Sequence, residues 1–107
     1  MRIFARRTLR EFVEGLAGKK DQPAVKAALD AWFYEVSKAA WRSTADVKRR
    51  YATASIVSAE RVVFNIKVND YRLVVAVDFE KAIVWIKWIG THRDYDKIDV
   101  TEVRHGH

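Results

Sequence analysis

Residues 89–99 read IGTHRDYDKID and put His92, Tyr95, Asp96 and Lys97 into one short stretch. Histidine titrates near neutrality, so it can both take and give a proton. A tyrosine hydroxyl can donate a hydrogen bond or a proton. His92 and Tyr95 are three residues apart, and His92 and Asp96 four apart. On a helix these three side chains share a face. Asp96 could then fix which ring nitrogen of His92 carries the proton. Thr91 and Asp94 have the spacing of a capping box, with Asp in place of the usual Glu. A plainer reading is also open, in which Tyr95 packs below a sheet and His92 is an ordinary surface residue.

The elements that would position these groups are legible upstream. From residue 61 the apolar period becomes two, as a half-buried strand requires. RVVFNIKV places Val62, Phe64, Ile66 and Val68 on one face and Arg61, Val63, Asn65 and Lys67 on the other. A two-residue turn at Asn69-Asp70 would set Val68 against Tyr71, Ile66 against Leu73 and Phe64 against Val75. On the opposite face Lys67 would lie beside Arg72, Asn65 beside Val74 and Arg61 beside Asp78. A second turn at Glu80-Lys81 would pair Val77 with Val84, Val75 with Ile86 and Leu73 with Trp88. Trp85, Lys87 and Ile89 would then join the polar face. Lys67 and Arg72 side by side repel each other unless an anion sits between them. A phosphate suits that place, because Arg offers a fork and Lys a point charge. Trp85 could stack on a base and Asn65 could hydrogen-bond one. A solvated sheet face with scattered charges is the competing reading.

The first half reads as helices that would cover the other face of the meander. MRIFA can form a short strand. RTLREFVEGLAG follows as a helix capped by Thr8 and Glu11, with Leu9, Phe12, Val13 and Leu16 on one side. Asp21 can cap a longer helix that tolerates Pro23 in its first turn. Along it Val25, Leu29, Trp32, Val36 and Ala40 recur at helical spacing. Ser43 and Asp46 would cap a short basic helix, VKRRY.

Composition narrows the function classes. The chain has 107 residues, half of them apolar, which is enough for one domain with one core, spanning residues 1–107. It has no cysteine, so disulfides and thiolate metal sites are excluded and a reducing cytoplasm fits. No long apolar stretch supports a signal peptide or a membrane span. The net charge is +6, and the excess lies early. Residues 1–50 hold 12 Lys/Arg against 6 Asp/Glu, and residues 51–107 hold 8 of each. A small basic domain points to a polyanionic partner. Gly-rich phosphate loops, nucleophile elbows and HExxH motifs are absent. His105 and His107 join His92 as possible metal ligands, but no carboxylate–histidine spacing supports a site. No metal or other cofactor is expected.

The segments RVVFNIKVNDYRLVVAVDF and IVWIKWIGTHRDYDKI together resemble the HigB family of type II toxin–antitoxin modules. The similar core runs from about Trp41 to Ile98 and includes FNI, YRL and GTHRDYDKI in order. One departure is visible. The first hairpin turn of the family usually carries glycine, as in NIKGN, whereas here Val68 and Asp70 flank Asn69.

The resemblance implies a RelE-like α+β fold. Helices would pack on one face of a small antiparallel sheet, with a short helix after the last strand. It implies an endoribonuclease toxin that cleaves mRNA without metal, usually on the translating ribosome, in the cytoplasm. It implies a HigA-type helix-turn-helix antitoxin as partner, contact with operator DNA only through that antitoxin, and no membrane. The toxin would be a monomer alone and part of a heterotetramer with its antitoxin. Under this reading His92 is the general acid or base and Tyr95 assists it. Arg72 and Lys67 hold the scissile phosphate. Arg61, Lys87 and Lys97 are further RNA contacts, and Asn65 and Trp85 place the base. A non-catalytic RNA- or ribosome-binding module is the alternative, and a domain that binds an acidic protein is a third.

Overall fold

A computed structural model describes residues 1–101. The elements run β1 (Arg2–Phe4), α1 (Arg6–Gly15), α2 (Gln22–Lys38), α3 (Thr44–Arg50), β2 (Ser55–Ile56), β3 (Arg61–Ile66), β4 (Tyr71–Asp78), β5 (Ile83–Thr91) and α4 (His92–Tyr95). The sheet order is β1-β5-β4-β3-β2. Strands β2 to β5 pair antiparallel, and β1 joins the free edge of β5 in parallel. The architecture is thus the expected α+β, with a mixed rather than purely antiparallel sheet. A parallel neighbour needs a long connection, and the three helices between β1 and the meander supply it.

The main core lies between the sheet and α1–α3. Leu9, Val25, Leu29, Trp32, Val36 and Val47 from the helices meet Val62, Phe64, Leu73, Val75, Val77, Val84 and Ile86 from the strands. Phe64 sits at its centre, with Trp32, Trp41 and Tyr51 around it at ring-centroid distances of 5.5, 6.2 and 5.0 Å. Among the described residues no helix is long and apolar enough to cross a membrane.

Several local expectations yield to tertiary contacts. Helix α1 starts at Arg6, behind Ala5 in the left-handed region (φ 69), with no side-chain cap. Pairing of β1 with β5 fixes where the chain leaves the sheet, so Thr8 falls inside the helix and Glu11 binds Arg7 instead, at 2.7 Å. Asp21 occupies the N-cap position of α2 without capping it, because its carboxylate accepts the hydroxyl of Tyr71 on β4. Ser43 likewise precedes α3 without a side-chain cap. There Asp46 reaches back to the Arg42 N–H at 2.8 Å. Ala40 lies beyond the end of α2 and is exposed, so the buried stripe stops at Val36.

Both hairpins depart from the expected register. In the first, Ile66 faces Tyr71, Phe64 faces Leu73 and Asn65 faces Arg72. The turn is Lys67–Asp70 rather than Asn69-Asp70, with Lys67 (φ 52) and Val68 (φ 61) left-handed. The shift is two residues, so each side chain keeps its face while its partner changes. Lys67 leaves the ladder for the turn, and Val68 becomes the turn's exposed tip (92%) instead of a core residue. In the second hairpin Val77–Val84 and Val75–Ile86 pair as expected. Beyond them a β-bulge intervenes. Val74 faces Trp88 and Leu73 faces Ile89, so Lys87 is the extra residue. The bulge turns Trp88 to the face away from the helices and buries Ile89 (1%), reversing the expectation for both.

Candidate active site on the open sheet face

The face opposite the helices carries Arg61, Val63 and Asn65 from β3 and Arg72, Val74 and Ala76 from β4. From β5 it carries Trp85, Lys87, Trp88 and Gly90. It is not a plain solvated surface. Val63 (2%) and Val74 (0%) are buried in its middle, outside the main core cluster. This small second core divides the face into two ends.

At one end four expected residues come together. Arg72 lies opposite Gly90 in the ladder. Its guanidinium carbon sits over the Tyr95 ring at 6.0 Å from the centroid. Its Nη1 donates to the Asn69 carbonyl at 3.0 Å and to the Tyr71 carbonyl at 3.5 Å. Two carbonyls and a ring thus orient the fork. The turn before it holds Lys67, whose Nζ donates to Asp70 Oδ2 at 3.0 Å. That bond to Asp70 raises the Lys67 pKa above the ordinary lysine value. Lys67 is therefore a fixed cation, suited to holding an anion rather than to taking a proton.

The same turn fixes the start of α4. The Asp70 carbonyl accepts from the His92 N–H at 3.0 Å. The expected cap forms there: Thr91 Oγ1 accepts from the Asp94 N–H at 3.1 Å. His92 is thereby held beside the Lys67–Asp70 turn, with its side chain 52% exposed and its Nε2 4.0 Å from Asp96 Oδ2. Tyr95 is half-buried, its ring 6.3 Å from that of Trp88. It packs on the site side of the sheet rather than beneath it. Lys97 follows α4 and is exposed.

The remaining residues are placed otherwise. Asn65 adjoins Arg72 in the ladder, but its Nδ2 donates to the Thr53 carbonyl at 3.2 Å and so ties down the segment before β2. Trp85 pairs with Ala76 and Arg61 also pairs with Ala76. That register is four residues along β4 from Arg72, about 13 Å at ordinary strand rise. Arg61, Trp85 and Lys87 line a separate groove there, and Arg61 Nη1 donates to the Val100 carbonyl at 3.1 Å. The residues expected on one face therefore form two clusters there. His105 and His107 lie outside the described residues. Among the described residues no three His, Asp or Glu side chains group to hold a metal ion.

Trp88, Gly90 and Asp70 were not among the expected site residues. Trp88 supports Tyr95, and its indole lies where a side chain on Gly90 would be: a Cβ there would come within 2.4 Å of Trp88 Cη2. Asp70 holds Lys67 with its carboxylate and α4 with its carbonyl. The signals were a broken alternation in WIKWIG, which marks a bulge, and a glycine inside a strand, which marks a close approach.

The arrangement resembles an anion clamp with a proton-transfer group at its rim: two oriented cations, a tyrosine and an accessible histidine. A search of curated proteins returns no match. A family model described as HigB_toxin, RelE-like toxic component of a toxin-antitoxin system, matches residues 25–98. That span runs from the first turn of α2 through α4, including the Lys67–Asp70 turn, the bulged strand and every residue of the clamp. With well over half of its length matched in this way, the chain belongs to the HigB family of RelE-like toxins of toxin-antitoxin systems.

Proposed function

We propose that the protein is an mRNA endoribonuclease, acting without metal on the translating ribosome in the cytoplasm and arresting growth by stopping translation. A toxin of a toxin-antitoxin system implies an antitoxin partner. On our reading that partner is of the HigA helix-turn-helix type, operator DNA is met only through it, and the two proteins form a heterotetramer. The observation that carries the reading is the guanidinium of Arg72 over Tyr95, beside a turn that holds both Lys67 and the backbone of His92.

In this reaction the ribose 2′-oxygen forms a bond to the adjacent phosphorus while the bond to the 5′-oxygen breaks. A base takes the 2′ proton and an acid supplies one to the leaving 5′-oxygen. The products are a 2′,3′-cyclic phosphate and a 5′-hydroxyl. Arg72 and Lys67 bind the phosphate and meet the charge that builds on it. His92 moves a proton at the exposed rim, and Tyr95 assists it and backs the guanidinium. The net charge of +6, concentrated in the helical half, favours association with ribosomal RNA.

The test is induced expression with growth and mRNA 5′ ends followed together. Wild type should arrest growth and create new 5′ ends. Arg72→Ala and His92→Ala should each lose about 10²–10³ in cleavage rate, the usual worth of one oriented charge or proton-transfer group. Arg72→Lys should recover little, because an ammonium cannot keep both carbonyl bonds and a forked grip on phosphate. Full cleavage by both alanine variants would refute the site. Arrest by wild type with no new ends would leave a binding module as the better reading.

A further inference from the structure

We propose that the far end of the sheet face is a second nucleotide subsite, in which a base of the substrate RNA stacks on Trp85 and Phe4. The proposal rests on the endoribonuclease reading above and extends it away from the scissile phosphate.

Parallel pairing sets Phe4 of β1 beside Trp85 of β5. Their rings stack, with centroids 6.2 Å apart and planes 23° from parallel. Phe4 is 38% exposed, one of few large apolar side chains left open to solvent among the described residues. The Arg2 guanidinium lies over its ring at 5.2 Å. A core would bury this pair, and an edge strand gains nothing from showing a phenylalanine to water. Next to Trp85 opens the groove lined by Ser58, Arg61, Lys87 and Thr101, with Glu60 as the one carboxylate among the lining residues. Aromatic faces flanked by cations and hydroxyls are the surface that single-stranded RNA recognises. Bases stack, phosphates meet the cations, and a 2′-hydroxyl finds donors and acceptors.

The spacing fits one continuous strand. Four ladder positions separate Arg72 from the Trp85 level, about 13 Å, which a strand stacked at about 3.4 Å per nucleotide covers in roughly four nucleotides and a stretched one in fewer. Between the two ends the bulge brings Lys87, which lines the groove, and Trp88 opposite the single residue Val74.

The experiment measures mRNA cleavage in a reconstituted translation reaction over a range of programmed-ribosome concentrations. Wild type, Trp85→Ala, Phe4→Ala and Trp85→Phe are compared, with thermal midpoints measured alongside. Removal of a stacking platform should raise KM by about 5- to 150-fold and leave kcat nearly unchanged, while Trp85→Phe keeps most of the affinity. An mRNA with one abasic position a few nucleotides from the cut should cost wild type the same factor and cost Trp85→Ala nothing further. Unchanged KM in a folded Trp85→Ala overturns the subsite. So does a loss in kcat that Trp85→Phe shares, which would mark a structural role. Loss of antitoxin binding with RNA cleavage intact overturns it in favour of a protein-docking face. Should wild type cleave no RNA, the endoribonuclease reading itself fails. The subsite is then overturned if wild type and Trp85→Ala bind a single-stranded oligonucleotide equally.

Discussion

Replacing Gly90 by alanine tests whether Trp88 positions the candidate site. A Cβ on Gly90 would meet Trp88 Cη2 at 2.4 Å, Cζ2 at 2.6 Å and Cζ3 at 3.2 Å. Carbon atoms rest at about 3.5–4.0 Å, so the indole must retreat by about an ångström. The backbone cannot yield instead. Gly90 is buried, paired with Arg72 in the ladder and preceded by fully buried Ile89. Trp88 is only half-buried, so its ring can turn outward. That movement carries it into or away from Tyr95, 6.3 Å off, over which Arg72 lies. Overpacking costs about 1–3 kcal/mol, and replacing a glycine returns about 0.4–1 kcal/mol by restricting the unfolded chain. The net loss should be about 0–2.5 kcal/mol, and each kcal/mol lowers the midpoint of a domain this size by about 4–8 °C. Activity should suffer more than stability, because misplacing a reacting group by about 1 Å can cost roughly 10² in rate. The assay is mRNA cleavage by Gly90→Ala beside its thermal melt and near-UV circular dichroism. Trp88→Ala should lose activity too, and the double variant should be no worse than Trp88→Ala alone, since the clash is gone. A folded Gly90→Ala with a changed aromatic signal and wild-type cleavage would show that the indole does not position Tyr95.

Two further predictions concern the turn and the frame beneath it. Val68 is β-branched, left-handed (φ 61) and 92% exposed, a conformation that costs a side-chain-bearing residue about 1–2 kcal/mol. Val68→Gly should therefore raise the urea midpoint, by up to about 1.5 kcal/mol of stability once the entropy of glycine is subtracted, and a lower midpoint would show that the valine contributes something beyond its strain. The Tyr71 hydroxyl donates to Asp21, which holds that carboxyl below its ordinary 3.8, while burial and then the bond push Tyr71 from 10.0 up to about 12. The depressed carboxyl contributes stability above pH 3.8 that is lost as pH falls through its folded value, and the raised phenol contributes stability that is lost as pH rises from 10 to about 12. The stability gap between wild type and Tyr71→Phe should thus be widest between those limits and narrow on both sides; a gap independent of pH would refute the bond.

What could be read in the sequence was whatever the burial pattern alone decides. Val62, Phe64, Leu73, Val75, Val77, Val84 and Ile86 alternate along their strands and all lie in the core, since a strand with one buried face has no freedom in its period. Thr91 caps α4 as its spacing implies. Caps failed where a distant group made a better offer, as Tyr71 did to Asp21 and the β1–β5 pairing did to Thr8. The first turn departs from its local pattern because Asp70 bonds Lys67 nearby and His92 across the sheet end. Local turn chemistry contains no trace of the second bond.

The bulge explains why Trp88 reaches the open face although the alternation of β5 does not send it there. Up to Ile86 the alternation of β5 carries Trp85 to the open face, and one extra residue at Lys87 then brings Trp88 there too. Without that insertion a strict period of two would send Trp88 into the core and Ile89 into the site, which is the arrangement the sequence pattern favours. With it, the strand places one indole at each end of the open face: Trp85 against Phe4 and Trp88 against Tyr95. Gly90, next on that face, has no side chain, so the second indole lies back toward the ladder position of Arg72. A single inserted residue therefore decides where the second indole stands. It supplies the aromatic support for the proposed phosphate clamp, and it puts that support on the same face as the proposed stacking surface at Trp85.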